Sequence, residues 1–67
     1  MLQAVLFNKD SWTTKSARQW LKDHSHIPIK RVYITDTQLR YRIAEPDDTK
    51  KYITQKITPD ISYVIMG

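Results

Sequence analysis

Arg31-Val32-Tyr33-Ile34-Thr35-Asp36-Thr37-Gln38-Leu39-Arg40-Tyr41-Arg42 is the stretch whose reading decides the fold. Apolar and polar residues alternate here with a period of two, the spacing of a strand with one buried face. With Asp36 and Thr37 at a hairpin tip, Ile34 pairs with Leu39, Tyr33 with Arg40, Val32 with Tyr41 and Arg31 with Arg42. That register puts Val32, Ile34, Leu39, Tyr41 and Ile43 on one face and Arg31, Tyr33, Arg40 and Arg42 on the other. A slip of one residue would bury the arginines, so the pairing is strongly specified.

Upstream, the period lengthens. Ala17, Trp20, Leu21 and His24 fall at i, i+3, i+4 and i+7, the apolar stripe of an amphipathic helix. Thr13 is a good N-cap, Trp12 before it can staple onto Ala17, and Pro28 stops the pattern, which predicts a helix over 13–25. Before the helix, Leu2 to Phe7 is apolar almost throughout, which suits a strand covered on both faces. Downstream, Glu45-Pro46-Asp47-Asp48 reads as a polar loop. Two further strands, 51–57 and 61–66, flank the turn cluster Thr58-Pro59-Asp60. A three-residue tip pairs Ile57 with Ile61 and Ile53 with Ile65, placing four isoleucines on the core side. The expected class is α+β: one helix on a small antiparallel or mixed sheet, in the order β-α-β-β-β-β, as a single domain over 1–67.

Composition agrees with a small folded domain. Of 67 residues 40% are apolar and 27% charged, a globular balance, although a chain this short buries only about 60% of its unfolded surface. There is no cysteine, which excludes disulfides and thiolate metal sites. No apolar run approaches the roughly 20 residues of a membrane span, and the N-terminus lacks the cationic start of a secretion signal. Net charge is +4, and its distribution is uneven. Residues 1–44 carry eight basic and three acidic side chains, residues 45–67 three and four. One-signed fields of this kind attract polyanions.

The residues offer little for catalysis. Asp23, His24, Ser25 and His26 are sequence neighbours, whereas a triad converges from separate elements. The lone glycine, Gly67, allows no phosphate-cradling loop. His24 and His26 have no further His or Cys to complete a metal site, so His24 is expected to close the helix stripe and His26 to lie in an exposed loop. Asp47-Asp48-Thr49-Lys50 resembles the carboxylate set of metal-dependent nucleases only superficially, because all its acids crowd into one loop. No enzyme activity, metal or cofactor is expected. The basic residues are better placed. Arg31, Arg40 and Arg42 surround Tyr33 on the outward face of the hairpin, and Lys15, Arg18 and Lys22 form a stripe on the helix. Arginine forks grip phosphates and an exposed tyrosine offers a stacking platform, but both types also anchor protein interfaces. Val64 and Met66, apolar on the outward side of the second hairpin, are a candidate self-association edge.

Several of these residues recur together in a pattern. Trp12-Thr13, Ala17-x-x-Trp20-Leu21-x-x-His24, Lys30-Arg31-Val32, Leu39-Arg40-Tyr41-Arg42, Glu45-Pro46, Tyr52-x-Thr54 and Ile61-x-Tyr63-Val64-Ile65-Met66-Gly67 follow in that order. The pattern, spanning roughly 7 to 67, resembles a small module of tailed phages and large double-stranded DNA viruses, free-standing or attached to head-morphogenesis proteins. The module usually has glycine after the histidine, where this chain has Ser25. The resemblance implies a viral protein and a compact domain; with no apolar span or secretion signal in the sequence, the expected place is the host cytoplasm or virion interior, neither secreted nor membrane-spanning. The expected role is a non-catalytic protein–protein module, in virion assembly or on a host factor, with a homodimer as one form. The alternative is a basic module binding DNA or RNA with weak sequence specificity.

Overall fold

A central strand organises the chain. In the computed structural model, which describes residues Met1–Gly67, β1 (Leu2–Asn8) is followed by α1 (Thr14–Asp23), β2 (Tyr33–Ile34), β3 (Gln38–Arg42), β4 (Tyr52–Thr58) and β5 (Ile61–Met66). The sheet order is β2-β3-β1-β5-β4, and every neighbouring pair is antiparallel. The α+β class and the element order are those expected, with the sheet antiparallel throughout. The apolar run of β1 earns its central place, with one hairpin pairing on each of its sides. No helix is long and apolar enough to cross a membrane.

The helix covers one face of the sheet. Val5 and Phe7 of β1, Leu39 and Tyr41 of β3 and Ile61 of β5 pack there with Ala17 and Leu21 of the helix. Phe7 is the hub, its ring lying 5.1 Å from Trp12, 5.6 Å from Trp20 and 5.7 Å from Tyr41. Burying a side chain of that size contributes about 1.5–3 kcal/mol. Thr13 caps the helix as expected: its Oγ1 accepts from the Ser16 N–H at 3.1 Å, and Ser16 Oγ accepts from the Thr13 N–H at 3.0 Å. The helix ends at Asp23, two residues earlier than expected. Ser25 turns to φ 60°, its N–H donates to the Lys22 carbonyl, and the His26 N–H donates to that of Leu21 at 2.8 Å. Those two bonds close the helix end, so the pattern cannot run on.

The first hairpin keeps the expected register only near its tip. Tyr33 faces Arg40, Ile34 faces Leu39, and the Thr35 N–H closes the Asp36-Thr37 turn on the Gln38 carbonyl at 2.9 Å. Arg31 and Val32 do not pair with Arg42 and Tyr41; the chain rejoins β3 at Ile29, whose N–H donates to the Arg42 carbonyl at 2.9 Å. Residues 30–32 thus make an excursion off the ladder.

The second hairpin departs further. Ile53 faces Ile65 as expected, but Thr58 faces Ile61, so the tip is Pro59-Asp60 and Ile57 is the extra residue of a bulge. Of the four isoleucines assigned to the core side only Ile61 is buried; Ile53 and Ile57 are exposed and Ile65 is intermediate. The cause is strand order. β4 is outermost, beyond the reach of a single ten-residue helix seated over β1, β3 and β5.

Val64 and Met66 also differ from expectation. They lie on β5, an inner strand flanked by β1 and β4, and are buried. A bulge places Gln3 beside Ala4 on their face, and the Gln3 amide donates to the Ala44 carbonyl at 3.1 Å. On the same face the Tyr52 hydroxyl donates to the Asp47 carbonyl at 3.0 Å. The 43–51 connection is tied to this face at Ala44 and Asp47, and Ala4, Val64 and Met66 are buried. They are therefore no self-association edge.

Candidate polyanion-binding face

The excursion at residues 30–32 creates the main surface feature. Between it and the helix lies an open groove of about 1090 Å³ whose cations are Lys15 and Arg18 from α1 and Lys30 and Arg31 from the excursion. Ile27, Pro28, Ile29 and Val32 supply its apolar wall. On the other side of the excursion a second groove of about 320 Å³ is lined by Lys30, Arg31, Tyr33, Arg40 and Arg42. No carboxylate lines either one. Because Lys30 and Arg31 belong to both, six cations form one band that wraps around the β2 edge from the helix side to the open face.

The band is largely unneutralised. Its single ion pair joins Lys30 Nζ to Glu45 Oε1 at 3.7 Å, and both side chains are more than half exposed, so the pair is worth little. Arg40 donates to Gln3 Oε1 at 3.4 Å, a neutral acceptor that orients the guanidinium without cancelling its charge. Tyr33 stands beside Arg40 with two-thirds of its surface in solvent. Under the helix-side groove the Tyr41 hydroxyl donates to the Thr14 carbonyl at 3.1 Å. Burial pushes the Tyr41 phenol above its ordinary range, and the nearby Arg18 charge pulls the other way.

On the face away from the helix, register aligns two cross-strand rows, the second of them buried at Ala4 and Val64. Tyr33, Arg40, Leu6, Ser62 and Lys56 form one cross-strand row, with Arg42, Ala4, Val64 and Thr54 in the next. Arg31, Tyr33, Arg40 and Arg42 are thus brought together, and Lys15 and Arg18 join them through the excursion. Lys22 lines neither groove. Lys30 appears in the sequence only within the Lys30-Arg31-Val32 pattern and not among the candidate binding residues; its role comes from an excursion that the alternating pattern hides.

The histidines lie elsewhere. His24 is exposed and does not close the buried stripe; its ring stacks on Trp20 at 3.8 Å and its Nδ1 meets the Trp20 carbonyl at 2.8 Å. His26 is partly buried, not a free loop residue, because its Nε2 meets the Tyr63 hydroxyl at 3.2 Å. No three His, Asp or Glu side chains come together as a metal-binding group. Asp47 instead accepts from the Thr49 hydroxyl and N–H, and those bonds hold its carboxyl below the usual range. Compared with protein families, curated proteins and solved structures, the chain matches none.

Proposed function

We propose that this protein is a non-catalytic nucleic-acid-binding module that grips phosphates through the band of Lys15, Arg18, Lys30, Arg31, Arg40 and Arg42. The observation that carries this reading is the pair of adjoining grooves lined by six cations and no carboxylate. Arginine forks match phosphate oxygens, and displacing counterions from the nucleic acid supplies most of the free energy. A band made of six cations and one exposed tyrosine favours phosphate contacts, so affinity is mainly electrostatic and weakly sequence-specific. The likeness to a phage and large-DNA-virus module makes viral genome segments the first nucleic acids to test.

Fluorescence anisotropy with labelled single- and double-stranded DNA and RNA tests this between about 50 and 200 mM salt. With all six cations engaged, affinity should fall by about 10³-fold over that range. The Arg40→Ala/Arg42→Ala variant should remain folded and lose most of the binding. Flat curves at low salt with every nucleic acid would sink the reading and return the same arginines to the role of protein-interface anchors, with a viral or host protein as the partner.

A further inference from the structure

The sheet has one long free edge, and it lies opposite the basic band. β2, one outermost strand, is two residues long, whereas β4, the other, runs for seven. Every residue of β4 is exposed, including Tyr52, Ile53 and Ile57, and its outer row of backbone N–H and C=O groups has no partner in the sheet. Such an edge is a template for another strand. Only Lys56 is charged within it.

We propose that β4 pairs antiparallel with β4 of a second copy, in a register centred on Gln55, to form a two-fold symmetric dimer. The strand is self-complementary in that register. Ile53 faces the partner's Ile57, Thr54 faces the partner's Lys56, and Gln55 faces the partner's Gln55. Continued past the strand ends, the register brings Lys50 towards the partner's Asp60, a pairing of opposite charges. Neighbouring registers lack this match. Centring on Lys56 sets two ammonium groups directly opposite each other, and centring on Thr54 sets Ile57 against the partner's Lys51.

The faces agree as well. Ile53 is on the helix side, opposite Ile65, and the bulge leaves Ile57 and Thr58 together on that side. A two-fold axis through an antiparallel strand pair is perpendicular to the sheet, so both helices lie on one side and the exposed isoleucines of both copies meet there. The β2 edges with their basic bands then lie at the two far ends, roughly 40 Å apart at the usual strand spacing. One polyanion could engage both.

Sedimentation velocity of the full chain, from micromolar to near-millimolar concentration, tests the proposal without reference to nucleic acid. The wild type should shift to twice the monomer mass as concentration rises. Gln55→Lys and Gln55→Glu each set like charges face to face at the axis and should sediment as monomers, with circular dichroism confirming that the exposed substitution leaves the fold intact. An equimolar mixture of the two should recover the dimer. A wild type that stays monomeric throughout, a dimer indifferent to both substitutions, or a mixture that fails to associate would each overturn it.

Discussion

Tyr33 and Arg40 stand directly opposite each other on β2 and β3, the tyrosine 67% exposed and the guanidinium held by the Gln3 side chain. A residue so exposed contributes little to the core, yet it sits in a groove whose other members are all cations. That arrangement suits a base stacked on the ring while its phosphates lie among arginines. Tyr33→Ala should weaken single-stranded nucleic acid binding by about 1–3 kcal/mol, the usual worth of one base–aromatic stack. Tyr33→Phe should bind like the wild type, and duplex affinity should change less than single-strand affinity in both. Thermal melts of both variants should stay close to the wild type.

Position within the band, and not total charge, should govern affinity. Arg31 lines both grooves and has no ion-pair partner, while Lys22 lines neither. Arg31→Ala and Lys22→Ala remove the same charge. The first should lower the slope of log K against log salt by about 1, the loss of one phosphate contact, and the second should leave it unchanged. Glu45→Gln frees Lys30 from its only carboxylate and should tighten binding, most clearly at low salt. Equal slopes for Arg31→Ala and Lys22→Ala would mean that diffuse net charge, not the grooves, does the binding.

The limits of sequence reading here are geometric. The Tyr33–Arg40 and Ile34–Leu39 pairs were legible because a one-residue slip would bury arginines, and Thr13 because few residues cap a helix well. The order of the five strands was not, because alternation shows which residues share a face but not which strand sits outermost. From that single gap came the error over Ile53 and Ile57, read as core and found exposed on β4. That Val64 and Met66 form no edge follows from the same gap, because β5 is an inner strand between β1 and β4. For the site, the arginines and Tyr33 were readable as an outward face. Their junction with Lys15 and Arg18 was not, because it runs through Lys30 and Arg31 where the chain leaves the ladder.

Ser25 is the position most open to stabilisation. Its φ of 60° lies in the left-handed region, where a Cβ crowds the following carbonyl at a cost of about 1–2 kcal/mol. The two hydrogen bonds that end the helix hold it there. Ser25→Gly removes the crowding and should raise stability by roughly 1 kcal/mol after its own loss of chain entropy. In a domain of this size that raises Tm by about 4–8 °C. Ser25→Val should lower Tm, because a branched Cβ tolerates this conformation least. Equal melting temperatures for the two variants would show that the turn relaxes away from positive φ at no cost.

Tyr41 links the core to the groove and should set the alkaline limit of stability. Its ring packs edge-on against Phe7, while its hydroxyl donates to the Thr14 carbonyl in the first turn of the helix. Burial, outweighing the opposite pull of Arg18, raises its ionisation above the ordinary value near 10.0. The folded state therefore retains a proton that the unfolded chain has already released, and stability falls as pH rises from the unfolded pKa through the folded one. Below that window the group's contribution is fully present. Tyr41→Phe loses one hydrogen bond and leaves the Thr14 carbonyl without that donor, so stability at neutral pH should drop by about 1 kcal/mol. The same variant should unfold later than expected from that loss when titrated above pH 10, because it has no phenol to ionise. Urea denaturation at neutral pH and above pH 10 separates the two effects. Parallel losses in wild type and variant across that range would show that Tyr41 is not the group whose ionisation limits the fold.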